Sequence, residues 1–255
     1  MYYIVLDLEF NQDFPSLQKH DFKRNRSLLE IIQIGAIKLD KNFNTIGSFN
    51  RYIKPRIFLR VSEFITELTG ITTEQLMDEK EFPEVYHEFI QFIGSKDSIL
   101  CIWGLSDIRE LFKNTKYHKI DDISLPRSYI NLQPYTSKFL GFSSKRLLSL
   151  EYAVNALGIK SPFNFHDALN DAYYTAEIFK KIFTSSIKPN IYDPNYVKAK
   201  PIKIRKVVDY EALNKQFEKM YNRPLTHEET EMIRLAYLMG KTKQFLKVER
   251  PKELN

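Results

Sequence analysis

The stretch Tyr2-Tyr3-Ile4-Val5-Leu6-Asp7-Leu8-Glu9-Phe10 constrains the fold of this chain more than any other. Apart from its two acids it is apolar, β-branched or aromatic, which predicts a buried strand. Side chains alternate across a sheet, so Asp7 and Glu9 share one face. Two residues of strand rise separate them by about 7 Å, close enough for both carboxylates to lean toward one bound charge. At an effective dielectric near 20, two carboxylates about 4 Å apart repel by roughly 4 kcal/mol, before the loss of their water is counted. A solvated pair at a strand edge is the simplest account of the tripeptide alone. A sheet end that keeps both acids points instead to a hard divalent cation, for which carboxylate oxygens are the preferred ligands.

A second stretch, His166-Asp167-Ala168-Leu169-Asn170-Asp171, tips the choice toward the cation. Ala172, Ala176, Phe179 and Phe183 recur at helical spacing, which places Asp171 in the first turn of a helix. Five residues along a helix would point His166 and Asp171 about 140° apart, so a shared site requires His166 to come from the preceding loop. Pro162, Asn164 and the candidate N-cap Asp167 predict that break. Such a histidine can be neutral near pH 7 and take a proton from water beside a metal. Without the acids at Asp7 and Glu9 it would read as an ordinary loop histidine. A third piece is the apolar run Ser98 to Trp103, a predicted strand ending at Gly104, with a helix opening at Ser106. Asp107 lies in that helix's first turn, where by itself it would only favour the helix N-terminus.

LDLEF, WGLSD and HDALNDA, in this order and at these intervals, resemble the DEDDh family of 3′→5′ exonucleases, whose sheet is of the ribonuclease-H type. Four acids and one histidine match: Asp7, Glu9, Asp107, Asp171 and His166. The segments EIIQIGAIKLD at 30–40, Phe49 to Pro55, and ITELTGITTEQL at 65–76 are similar to the branch holding the Eri-type and histone-mRNA 3′ exonucleases. The resemblance spans residues 1–184. It implies an α/β fold with a mixed sheet flanked by helices. It also implies two Mg²⁺ ions, with Mn²⁺ as a substitute, and release of nucleoside 5′-monophosphates from a single-stranded 3′ end. Asp7 would bridge the ions, Glu9 and Asp171 would complete the site carrying the attacking water, Asp107 would help hold the second ion, and His166 would be the general base. RNA is expected over DNA through the Eri-type resemblance alone. A DNA-directed exonuclease is the alternative, and a catalytically silent nucleic-acid-binding protein on the same fold is a third reading.

Composition narrows the remaining classes. Of 255 residues, 43% are hydrophobic and 27% charged, the balance of a globular protein with a substantial core. No apolar run approaches the 18 or so residues of a membrane helix, and the first strand begins without a basic leader, so a cytoplasmic protein with no membrane role is expected. The single cysteine, Cys101, excludes an internal disulfide framework and a cysteine-rich zinc site. A formal charge of +6 favours a polyanionic partner.

Asn11 to Leu29 reads as a polar loop carrying Lys19, Arg24 and Arg26. Glu30 to Leu39 and Thr45 to Ile53 read as strands of an antiparallel meander, joined by a turn at 40–44. Ser62 is a candidate N-cap of a short helix ending at Gly70, and Glu81 to Ile93 and Ser149 to Leu157 read as further helices. A tyrosine-rich run from Tyr129 to Phe139 has no assigned element. Phe10, Leu68, Thr69 and Trp103 are candidate contacts to the terminal nucleotide, the middle pair from the resemblance; Phe163 and Phe165 also adjoin motif residues. Beyond residue 184 the chain becomes an expected extension, 185–255. It comprises a basic connector with Lys198, Lys200, Lys203, Arg205 and Lys206, then two helices, Asp209 to Met220 and Thr226 to Met239, the second opening with the capping box Thr226-His227-Glu228-Glu229 and stopping at Gly240. The connector is a candidate for phosphate contacts and the extension for a protein partner.

Overall fold

The computed structural model describes residues 1–12, 28–196, 208–242 and 244. The apolar run at the N-terminus forms β1 (Tyr3–Asn11), followed by β2 (Glu30–Leu39) and β3 (Thr45–Tyr52). These three strands are the expected antiparallel meander, with Asp7 opposite Gly35 and Glu9 opposite Gln33. The turn between β2 and β3 closes because the Asp40 carboxylate accepts from the Asn42 and Asn44 N–H groups, while Phe43 adopts a left-handed φ of 64°. Helices α1 (Glu63–Thr69), α2 (Thr73–Leu76) and α3 (Phe82–Ile93) come next. Ser62 caps α1 and Gly70, at φ 76°, ends it.

β4 (Ile99–Ile102) then runs parallel to β1 and leads into α4 (Ser106–Tyr117). The tyrosine-rich run resolves into β5 (Ser128–Asn131) and α5 (Leu132–Phe139), joined without a loop. Asn131 makes that junction, its Oδ1 accepting from the N–H groups of both Gln133 and Gly104. A four-residue strand running straight into a helix carries too little periodicity of either kind to be read from sequence. α6 (Leu150–Ala156) and α7 (Ala168–Ile182) complete the helices around the sheet, and β6 (Asn190–Ile191) pairs with β5. The strand order is β3-β2-β1-β4-β5-β6, a mixed sheet of the kind expected.

Alternation along β1 sorts the core into two layers. Ile4, Leu6 and Leu8 pack with residues of α3 and α4, among them Phe89 and Leu111. Tyr3 and Val5 pack on the other face with residues of α6 and α7, including Val154 and Phe179. Asp7 and Glu9 continue the second series and therefore face the α7 side.

The chain divides into two units, Met1–Tyr196 and Val197–Asn255. The boundary expected after residue 184 thus falls inside the first unit. Residues 185–196 supply β6, the buried Ile187 and the Tyr192 ring against Phe112. In the second unit α8 (Tyr210–Tyr221) and α9 (His227–Lys241) have no buried residue among those described. The capping box of Thr226 and Glu229 forms as expected, but Gly240 lies within α9 and Thr242 caps it. The basic loop residues Lys19, Arg24 and Arg26 and the connector residues Lys198, Lys200, Lys203, Arg205 and Lys206 lie outside the described residues. No helix among the described residues is long and apolar enough to cross a membrane.

Candidate active site

The site gathers where β1 ends beside the first turns of α4 and α7. β1 pairs with β4 up to Leu6 and Ile102, so Asp7 follows the last pair and β4 hands over to α4, whose first turn carries Asp107. α7 arrives from the opposite side of the sheet, over β2. Its approach depends on Gly35, because a Cβ built there would lie 2.1 Å from the Ala168 carbonyl carbon. Gln33, fully buried two residues earlier, holds the same helix start. Its Nε2 donates to Asp167 Oδ2 at 2.8 Å and to Asn50 Oδ1 at 3.0 Å, and its Oε1 accepts from the Ala168 N–H at 3.2 Å. Asp167 caps α7 as expected, Oδ1 accepting from the Asn170 N–H. The ladder between β1 and β2 also shifts register between Glu9 and Phe10, a bulge at the acid-bearing end.

This packing draws Glu9, His166 and Asp171 together, with one ligand atom from each lying within 4.8 Å of the others. His166 leaves the loop before α7 at a left-handed φ of 64°, as a shared site requires, and its side chain is exposed. Its backbone N–H donates to Asp171 Oδ2 at 3.2 Å. Asp171 Oδ1 is buried and has no hydrogen-bond partner among the described residues.

Electrostatics extends the group to all four acids. Burial raises the Asp7 carboxyl well above the ordinary range, and Asp107, Asp171 and Glu9 push it further. Burial, reinforced by Asp171 and Asp107, raises Glu9 to about 8. Asp107 rises to about 7 mainly through burial, opposed by a backbone hydrogen bond and by Arg109. Burial lifts Asp171 to about 6 against the hydrogen bond from His166. Four carboxyl groups that disfavour one another's charge, with Asp171 Oδ1 unpartnered among the described residues, make a donor set suited to a hard cation.

The profile of the RNase T exonuclease family matches residues 4–179, which include all five of these residues. The chain belongs to the RNase T exonuclease family. Membership places it among the 3′→5′ exonucleases of DEDDh type, hydrolases that use divalent metal ions. Over 212 residues it is 31% identical to the PolC-type DNA polymerase III of Thermotoga maritima, covering 83% of this chain and 14% of that polymerase. It is 26% identical to the epsilon subunit of DNA polymerase III from Buchnera aphidicola, covering 75% of each. The chain spans about one-seventh of the length of the PolC-type relatives it matches first. The nuclease domain of 3′hExo, a DEDDh family member bound to rAMP, superposes with a TM-score of 0.62 at 20% identity, over 75% of this chain and 96% of that one. Cell-death related nuclease 4 superposes with a TM-score of 0.61 at 20% identity, over 74% and 66%. Likeness at that identity is one of fold.

The candidate nucleotide contacts of this RNase T family member fall in different settings. Leu68 is 40% exposed at the end of α1. The Thr69 hydroxyl donates to the Ile65 carbonyl and accepts from the Ile71 N–H, so it is already engaged in closing the α1 turn. Phe10 is half-buried against the first core layer. Trp103 packs against the second layer, and its Nε1 donates to the Leu148 carbonyl at 3.2 Å. Phe165 packs in that layer too, whereas Phe163 is exposed. Gln33 and Gly35 were not singled out as site residues in the sequence. A glycine inside an apolar strand marks a close backbone approach, and that was the signal available.

Proposed function

We propose that this chain hydrolyses single-stranded RNA from its 3′ end, releasing nucleoside 5′-monophosphates. The observation that carries the reading is the meeting of Glu9, His166 and Asp171, with one Asp171 oxygen buried and without a hydrogen-bond partner among the described residues. Asp7, Glu9, Asp107 and Asp171 would hold two Mg²⁺ ions, or Mn²⁺ in their place, since the donors are oxygens of hard carboxylates. When bound, such ions supply positive charge to the scissile phosphate and to the attacking water. His166 takes the proton from that water as general base. Its exposed ring can pass the proton on to solvent, and the helix-capping loop keeps it beside Glu9 and Asp171. Leu68 offers an apolar face to the terminal base, with Thr69 fixing the turn that presents it.

RNA is favoured by the Eri-type segments at 30–40, 49–55 and 65–76. DNA is the second reading, supported by the 31% identity to a PolC-type DNA polymerase. The test is degradation of 5′-labelled single-stranded RNA and matching DNA with Mg²⁺, Mn²⁺ or chelator. A metal-dependent ladder shortening from the 3′ end, faster on RNA, is expected. Faster loss of DNA would select the second reading, and binding without shortening under any metal would overturn both.

A further inference from the structure

The loop that delivers His166 is fastened to α7 by a residue that touches none of the reacting groups. Tyr174 lies one turn beyond Asp171, and its ring is fully buried. Its hydroxyl uses both of its hydrogen-bonding capacities on one residue of the loop: the Phe163 N–H donates to Tyr174 Oη at 2.8 Å, and the Tyr174 O–H donates to the Phe163 carbonyl at 2.6 Å. A donor and an acceptor held on the same residue fix the peptide groups on both its sides, as a partner strand would. The ring cannot follow if the loop drifts. It is tilted against Phe165 at 4.7 Å between centroids and edge-on to Tyr173 at 5.5 Å, and Tyr173 in turn meets the Phe163 ring at 5.6 Å.

Two further ties from α7 act on the same segment. Asn170 Nδ2 donates to the Asn164 carbonyl at 3.0 Å, and Asp171 Oδ2 accepts from the His166 N–H. His166 itself sits at a left-handed φ, a conformation an L-residue keeps only when its surroundings hold it. Phe163 is 49% exposed, so the hydroxyl ties a surface residue of the loop to the buried face of α7. Its distinct effect is to hold Phe163 in place, three residues before the general base.

We infer that Tyr174 is a positioning residue for His166, its hydroxyl setting the loop that aims the imidazole at the attacking water. This rests on the exonuclease reading above. A misplacement of about 1 Å in a catalytic group costs up to about 100-fold in rate, so Tyr174→Phe, which keeps the ring and removes only the hydroxyl, should lower kcat about 10- to 100-fold. KM and Mn²⁺ affinity should stay within about threefold, because neither substrate nor metal donors are removed. The decisive arm is the double variant. In a His166→Ala background the hydroxyl has nothing left to position, so adding Tyr174→Phe should change kcat by less than about twofold. Asn170→Ala, which cuts the neighbouring tie, should act in the same direction as Tyr174→Phe and also lose its effect without His166. An unchanged kcat in Tyr174→Phe would overturn the inference, and so would an equal drop with and without His166, which would mark a general structural role. A wild-type protein that shortens no substrate under any metal would instead remove the exonuclease reading and this inference with it.

Discussion

Asp171 meets two opposed demands: burial and the neighbouring Asp167 carboxylate disfavour its charge, yet one of its oxygens has no hydrogen-bond partner among the described residues. The pH dependence of stability follows from that conflict. A carboxyl group raised in the fold binds more protons folded than unfolded between its two pKa values, so stability falls as pH climbs through that interval. For Glu9 the interval runs from 4.5 to about 8. The metal-free protein should therefore melt lower at pH 8 than at pH 5, and added Mg²⁺ should recover most of the loss. Glu9→Gln should raise metal-free stability at pH 8 by about 2 kcal/mol and have little effect at pH 5, read by thermal melts in chelator. A variant melting like wild type at both pH values would refute the repulsion argument. In catalysis, Asp7→Asn and Asp171→Asn should abolish hydrolysis with the fold intact. His166→Ala should lower kcat about 10²- to 10⁴-fold and leave metal binding in place, checked by single-turnover assays and Mn²⁺ titration.

At the level of elements, the site is an accident of neither β1 nor α7 alone but of their separation. The first turn of α7 reaches the acids because β2 has no side chain at Gly35 and because Gln33 spans from Asn50 to Asp167. A methyl group at Gly35 would meet backbone, which cannot yield as a side chain can. Gly35→Ala should cost about 3 kcal/mol in unfolding free energy and weaken Mn²⁺ binding in the same variant, because the displaced helix carries Asp171 away from Asp7. Retained metal affinity at full stability would show that α7 does not depend on that contact. The expectations that succeeded here have local causes: Ser62, Asp167 and Thr226 cap helices through side chains adjacent to the turns they satisfy. The elements not foreseen, α2, β5, α5 and β6, are short or abut without a loop, and they take their conformation from the sheet and core around them. Gly240 shows the reverse, a residue that often ends helices carried inside one.

For the whole molecule, the division at Tyr196 changes which shortened chain is informative. A chain ending at 196 keeps β6, Ile187 and the Tyr192–Phe112 contact, and should retain the melting temperature of the first unit and metal-dependent hydrolysis. One ending at 184 strips that cover from β5 and the core, and should lose about 2 kcal/mol or more, measured by denaturant unfolding. Equal stability of the two would return the boundary to 184. Comparing the salt dependence of RNA affinity between the 196 chain and the full chain then isolates the charge contributed by the second unit, and a shallower slope in the shorter chain is expected if the basic connector touches phosphates.

From its residues alone, this protein was determined to carry a buried strand ending in two acids, a helix opening at Asp171 and a loop histidine before it. Periodicity and capping act over a few residues and are written in the chain. The order of motifs extended that reading to a family and to four acids. Only the tertiary structure decided how the acids meet, through a glycine and a glutamine on β2 that make room for α7 and hold it there. It alone also revealed the tyrosine hydroxyl that fastens the histidine's loop. Those contacts join residues up to 135 positions apart, as from Gln33 to Ala168, and their energies arise from burial and backbone clash that exist only once the sheet and helix have packed.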